Sequence, residues 1–251
     1  MKEFNFSKIG KADLHIHSRY SNDSFSSIKK ILKRAKKKGL NVIAITDHNT
    51  IEGAIEAKKI ASDFGLEVII GEEITTKEGD VIALFIKKSI LSGKNILETI
   101  KEIKEQGGLV IIPHPDTWFL KSVSHETLFK IFNEIDGIEL LNSAWTTKNK
   151  KEENKVLNKL FFNLAEVSGS DAHLANHVGC AYTVFPGQKS EDLYRAIKER
   201  KTISSGSPLR YKDKIFWLIN APRFFWRSPE TFKNGVKQVI KNGIKRIIKK
   251  K

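Results

Sequence analysis

A single cysteine, Cys180, among 251 residues excludes an intramolecular disulfide and a cysteine-based zinc site, and it suits a reducing compartment. No run approaches the roughly 18 consecutive apolar residues of a membrane-spanning helix. No long apolar stretch follows Met1-Lys2-Glu3-Phe4, so a cytoplasmic location is expected rather than a secretory signal. Histidine is scarce too, seven in all, which makes its placement informative. Positive charge is abundant. The formal net charge is +15, and residues 211–251 hold 12 Lys and Arg against 2 Asp and Glu, a balance of +10 that leaves +5 for residues 1–210. A positive field favours anionic partners: nucleic acid, phosphorylated metabolites or an anionic membrane surface. Solvated lysine-rich helix faces are the plainer account of the body.

The length fits one large α/β barrel-type domain or two small ones, and a hydrophobic content of 40% is enough for a core. Strands are expected at 12–17, 42–47, 67–74, 81–86, 109–114, 137–141, 164–168 and 181–185. Several are nearly continuous in Val, Ile and Leu, as parallel strands buried on both faces would be. Helical patterns fall between them at 28–38, 51–64, 96–106, 127–132, 150–162 and 191–200. Ser27, Thr50, Asn95 and Ser190 are placed to cap them, and Gly39, Gly65 and Gly107 to stop them. Alternation repeated about seven times argues for a (β/α) barrel or a doubly wound sheet.

Position then separates decoration from site. His15 and His17 close the first strand, Asp47 and His48 the second, Glu73 the third and His114 the fifth, while Asp171 and His173 follow the strand near residue 166. Active sites of such folds sit at the C-terminal strand ends, so all these residues share one rim. Ligands drawn from strands all round favour a closed barrel. In His15-Ile16-His17 the period of two points both imidazoles to one face. Imidazole and carboxylate suit zinc, iron and manganese. Glu72 alternates to the opposite face from Glu73 and is not counted.

Asp13-Leu14-His15-Ile16-His17-Ser18, Ala44-Ile45-Thr46-Asp47-His48, Gly71-Glu72-Glu73-Ile74, Pro113-His114-Pro115 and Gly169-Ser170-Asp171-Ala172-His173 together resemble the signature of the PHP (polymerase and histidinol phosphatase) family, in order from about residue 11 to 206. The resemblance implies a distorted (β/α)7 barrel and two or three divalent metals that hydrolyse phosphoesters. It is most similar to the stand-alone phosphoesterase branch, whose relatives act on nucleotides and RNA ends. By the same resemblance, His15 and His17 hold one metal with Asp171. Glu73 bridges to a second, which His114 also binds, and His48 and His173 hold a third with Asp23. Asp80 is a departure: many relatives carry His there, and the acid is either a ligand or leaves the cluster dinuclear.

The chemistry supports that donor set independently. A phosphoester repels nucleophiles because its oxygens are already negative, and paired metals about 3.5–4 Å apart neutralise that charge and turn water into hydroxide near neutral pH. Asp47 and His177 are candidates to assist the leaving oxygen, Asp47 alternatively to orient a histidine, and His177 alternatively to hold its own loop. Arg19 is either a bidentate phosphate clamp or a surface arginine. His125 is expected at a helix start. A serine nucleophile is not expected where metals supply hydroxide.

Residues 1–210 are expected to form the barrel and 211–251 an appendage. Phe232, Val236, Val239, Ile240, Ile244, Ile247 and Ile248 recur at spacings of three and four, with Lys237, Lys241, Lys245 and Lys249 interleaved, as in a basic amphipathic helix. Upstream lie Ile215-Phe216-Trp217-Leu218-Ile219 and Phe224-Phe225-Trp226. Three roles are open: packing on the barrel, lying peripherally at an anionic membrane, or guiding RNA or DNA. The expected activity is metal-dependent hydrolysis of a nucleotide, oligonucleotide or related phosphoester. The alternatives are a small-metabolite phosphomonoesterase and a non-catalytic nucleic-acid or membrane-binding protein with a structural cluster. No obligate protein partner is expected.

Overall fold

The computed structural model describes residues 8–117, 120–146 and 148–209. The expected appendage at 211–251 lies outside these residues. Nine strands form one sheet: β1 (Ile9–Asp13), β2 (Val42–Ile45), β3 (Glu67–Thr75), β4 (Asp80–Leu84), β5 (Leu109–Ile112), β6 (Gly137–Asn142), β7 (Ala165–Gly169), β8 (Ala181–Pro186) and β9 (Ile203–Gly206). Their order is β7-β6-β5-β4-β3-β2-β1-β8-β9. Between them run α1 (Ile28–Lys37), α2 (Glu52–Ile60), α3 (Ile96–Glu105), α4 (His125–Ile131), α5 (Lys148–Leu157) and α6 (Ser190–Lys198).

The sheet curls into a nearly closed barrel. One apolar cluster takes alternate residues from strands all round it, among them Ala12, Val42, Ala44, Ile69, Ile82, Leu109, Ile111, Ala165, Val167 and Phe185. A sheet can bury one such set only by wrapping round it. Leu193, Ala196 and Ile197 of α6 join the same cluster, and the Ser190 N–H bonds Glu67 Oε2 at the start of β3. Helix α6 therefore plugs the end of the barrel opposite the C-terminal ends of the parallel strands. The complementary residues, such as Ile43, Ile45 and Val68 or Val81, Val110 and Ile138, pack outward against the helices. The sheet's ends meet through side chains: Thr183 Oγ1 accepts from Ser168 N at 2.9 Å and donates to Ser168 O at 3.1 Å.

Two strands depart from the parallel pattern. β4 runs antiparallel to β3 and β5, and β8 antiparallel to β1 and β9. Only residues 76–79 join β3 to β4, too few for a crossover helix, so the chain reverses. The Thr76 N–H bonds Gly79 O at 3.1 Å across the turn, and Gly79 sits at φ 142. Apolar continuity marks β4 as buried but does not encode its direction. The short β9 was not expected at all. Asn95 caps α3 with a reciprocal Glu98 contact, worth about 1 kcal/mol, and Gly39, Gly65 and Gly107 take the left-handed conformation that ends their helices.

Candidate metal centre

The rim is built from short extensions beyond the strand ladders. After β1 the chain stays extended. Ile16 bridges Ala172 in parallel, and the His17 N–H bonds Ala172 O at 3.1 Å. Alternation then turns His15 and His17 to one side and leaves Ile16 in the outer core. His48 bridges Glu73 of β3. Glu72 points away, accepting from Ser89 Oγ and the Ile90 N–H. Asp80 opens β4 opposite Thr75. Because β4 is reversed, its first residue falls on the rim where the other strands end. His114 and Asp171 each lie two residues past a strand at φ 30 and 50, a left-handed backbone that a non-glycine residue holds only where its surroundings enforce it.

Four groups of side chains converge within ligating distance of one another: His17, Asp23, His48 and His173; His15, His17 and Glu73; His15, His114 and Asp171; Glu73, Asp80 and His114. Glu73 is central. Its Oε2 lies 3.3 Å from His15 Nε2, 3.2 Å from His17 Nε2 and 3.2 Å from His48 Nδ1, and its Oε1 is 3.1 Å from His114 Nε2. Asp171 Oδ1 is 3.2 Å from His17 Nε2, and Asp23 Oδ2 is 2.9 Å from His173 Nε2 and 3.2 Å from His48 Nε2. The cluster is sealed below and open on one side. The His15, His17, Glu73, His114 and Asp171 side chains are at most 4% exposed, whereas His48 is 29% and Asp23 37% exposed.

Burial alone would discharge these groups, but opposite charges override it. His15 and His48 hold Glu73 well below the ordinary carboxylate range against the cost of burial. His173 and His48 do the same for Asp23, and His15 chiefly for Asp171. Burial likewise opposes charge on the imidazoles, yet Asp23 and Glu73 carry His48 up to about 10 and Asp23 carries His173 up to about 9. Asp80 is the exception: burial, then repulsion from Glu73, pushes it up to about 6. Two buried oxygens in the cluster, Asp23 Oδ1 and Asp80 Oδ1, have no hydrogen-bond partner. Orphaned carboxylate oxygens beside inward-facing imidazole nitrogens are the donor set that divalent cations satisfy, so the residues present fit such ions.

Three expected participants stand apart from these groups. Arg19 is half exposed and pairs with Glu56 at 2.8 Å. Asp47 commits both oxygens to Ser18, accepting from its N–H at 2.6 Å and its Oγ at 2.7 Å, with burial raising its pKa. That makes it an anchor for the loop after His17. His177 lies in the single helical turn Ala175–His177. His125 opens α4 beside Asp116. Sequence reasoning missed the groups that support the rim residues: Glu139 on His15, Ser21 on His17, Ser122 on His114, and Asn142 on Asp171. A carboxylate inside the apolar run 137–141 was the one available signal. The serines carry none.

The PHP domain pattern matches residues 13–205, more than half of the chain. The chain belongs to the PHP domain family. Among relatives, an uncharacterized protein of Methanocaldococcus jannaschii is 48% identical over 143 residues, 53% of this chain and 82% of that protein. A 5'-3' exoribonuclease of Haemophilus influenzae is 36% identical over 105 residues, 40% of this chain and 38% of the enzyme. Among solved structures, a two-domain Bacteroides vulgatus protein containing a predicted PHP-like metal-dependent phosphoesterase superposes with a TM-score of 0.66 at 20% identity, covering 85% of this chain and 70% of that one. Endonuclease Q, solved with a 27-mer duplex carrying an abasic lesion, gives 0.52 at 21% identity, covering 76% and 57%. Both structural likenesses speak to the fold of this PHP chain. Among the described residues no helix is long and apolar enough to cross a membrane.

Proposed function

We propose that this PHP protein cleaves phosphodiester bonds of nucleic acid or an oligonucleotide, using two or three divalent ions held by His15, His17, Asp23, His48, Glu73, Asp80, His114, Asp171 and His173. The observation that carries the reading is the meeting of five imidazoles and four carboxylates at one rim, two of them with buried oxygens otherwise unpaired. When bound, the ions supply charge neutralisation and an activated water. The residues supply placement. Glu73, within 3.3 Å of four imidazoles, sets the spacing of the groups. Asp171 and His114 are fixed by strained backbone. The dry floor excludes bulk water, and the Asp23–His48 side, the exposed part of the cluster, is where a substrate phosphate approaches. Imidazoles leave the loaded centre cationic, which suits an anionic substrate.

Nucleic acid is favoured over a small monoester by the +15 charge and by the similarity to an exoribonuclease. Zinc, manganese and iron all suit the donors. The test loads stripped protein separately with Mn²⁺, Zn²⁺ or Fe²⁺ and offers bis-p-nitrophenyl phosphate, p-nitrophenyl phosphate and single-stranded RNA and DNA. Diester and oligonucleotide turnover is expected. Turnover of the monoester alone replaces the substrate reading, and no turnover with any ion ends the catalytic one.

A further inference from the structure

Glu139 is a carboxylate in the middle of β6, flanked by Ile138, Leu140 and Leu141 and only 1% exposed. Three donors surround it. His15 Nδ1 lies 3.3 Å from Oε1, while the His114 N–H and Asn142 Nδ2 lie 2.8 and 3.0 Å from Oε2. Asn142 is itself fully engaged. Its amide nitrogen also reaches Asp171 Oδ2 at 3.2 Å, and its carbonyl oxygen accepts from the N–H groups of Ala144 and Trp145, both at 3.1 Å. A carboxylate offers acceptors only. Nδ1 of His15 is therefore the donor to Glu139, which leaves Nε2, directed at Glu73 and His17, as the nitrogen available to a metal ion. The other oxygen holds the main chain of His114, whose φ of 30 needs such support. Neighbouring β7 leaves no room to spare: a Cβ on Gly169 would stand 2.2 Å from His15 Cβ and 2.7 Å from Glu139 Oε1.

We infer that Glu139, braced by Asn142, is a positioning residue that couples the two halves of the metal centre. It fixes the tautomer and aim of His15 in one half and the backbone pose of His114 in the other. The inference rests on reading the rim as a metal centre. Ser122 supplies the contrast, since among the described residues its hydroxyl reaches only His114, at Nδ1 (3.0 Å) and at the carbonyl oxygen (2.8 Å). Glutamine at 139 has one acceptor and one donor end to set against three donors, so one pairing becomes donor against donor.

The experiment titrates metal-stripped full-length protein with Zn²⁺ by calorimetry, in wild type, E139Q, N142A and S122A, and reads imidazole ¹⁵N signals of the zinc-loaded forms. Circular dichroism of the metal-free proteins checks folding. E139Q is expected to weaken two binding steps, each by about 10–100-fold, and to shift the His15 nitrogens away from the pattern with hydrogen on Nδ1 and metal on Nε2. N142A, which keeps the carboxylate, weakens the same steps less and serves if E139Q does not fold. S122A weakens one step and leaves the His15 signals in place. Wild type that takes up no zinc removes the metal reading itself. Tight wild-type binding with E139Q and N142A unchanged, or E139Q weakening a single step, overturns the coupling and leaves the metal centre standing.

Discussion

The Nε2 atoms of His15 and His17 face each other at 3.1 Å, with Glu73 Oε2 3.3 and 3.2 Å from the same two nitrogens. Two lone pairs this close need a proton or a cation, and the adjoining carboxylate makes the cation the better answer. Glu73→Ala takes away a carboxylate whose two oxygens together lie within 3.3 Å of four imidazoles. Metal content is expected to fall to background and diester hydrolysis to drop at least about 100-fold. Chelation of wild type should give the same loss, reversed by adding ions back. E73A that kept its ions, measured by elemental analysis, would contradict this.

Without metal, protons must do the neutralising. Asp23 and Glu73 hold His48 up to about 10 and Asp23 holds His173 up to about 9, above the ordinary 6.5. A raised imidazole pKa contributes stability that is complete below the unfolded value and is lost as pH climbs through the folded one. Metal-free protein should therefore melt at a falling temperature between pH 6.5 and 10, and Asp23→Asn should flatten that slope. Metal uptake, which displaces these protons, should tighten as pH rises. A melting temperature that rose with pH would refute the argument.

Much of this was legible in the sequence because strand ends are legible. Histidines at 15, 17, 48 and 114 each terminate a Val/Ile/Leu run, and a parallel sheet gathers such ends on one rim. The reversed β4 was hidden, since Asp80-Val81-Ile82-Ala83-Leu84 reads as buried in either direction, and only the shortness of residues 76–79 betrays the turn. The supports were hidden for another reason. Ser21, Ser122 and Asn142 act through contacts between residues far apart in the chain, which no local pattern records. Arg19 follows the His-x-His pair, where the sequence leaves a phosphate clamp and a surface arginine both open; the guanidinium meets Glu56, a contact between residues 37 apart that no local pattern records.

Asp80 opposite Thr75 should decide the ion count. Its carboxyl is pushed up to about 6 by burial and then by Glu73, so it must lose a proton to serve as a ligand. The ion shared with Glu73 and His114 should be lost steeply below pH 6. In Asp80→Asn it should be missing at every pH, one ion fewer per chain, while Asp23, His48 and His173 keep theirs. Equal metal content in D80N and wild type at pH 7.5 would show that Asp80 holds no ion.

Arg19 pairs with Glu56 on the outer surface and stacks on Tyr20 at 5.6 Å. Exposed pairs contribute little, and nothing places this guanidinium among the rim groups. Arg19→Ala should leave kcat/KM for small diesters within about twofold of wild type. A tenfold rise in KM at unchanged kcat would instead restore Arg19 as a phosphate clamp.

The described chain ends beside the rim, where the Leu209 N–H bonds Ser143 O at 2.8 Å, just past β6. Residues 211–251 carry a charge surplus of +10. If that charge serves a nucleic-acid substrate, deleting 211–251 should weaken binding of long single strands. It should also reduce the slope of log affinity against log salt, by about 0.7 for each phosphate that the shortened protein leaves unneutralised. Hydrolysis of bis-p-nitrophenyl phosphate, which is too small to reach beyond the centre, should keep its kcat. Fluorescence anisotropy with a labelled oligonucleotide at several salt concentrations, run beside the small-substrate assay, separates the two. A truncated protein that binds strands as tightly and with the same salt slope would free the segment from any part in substrate capture. One that lost the small-substrate rate as well would assign it to the barrel's integrity.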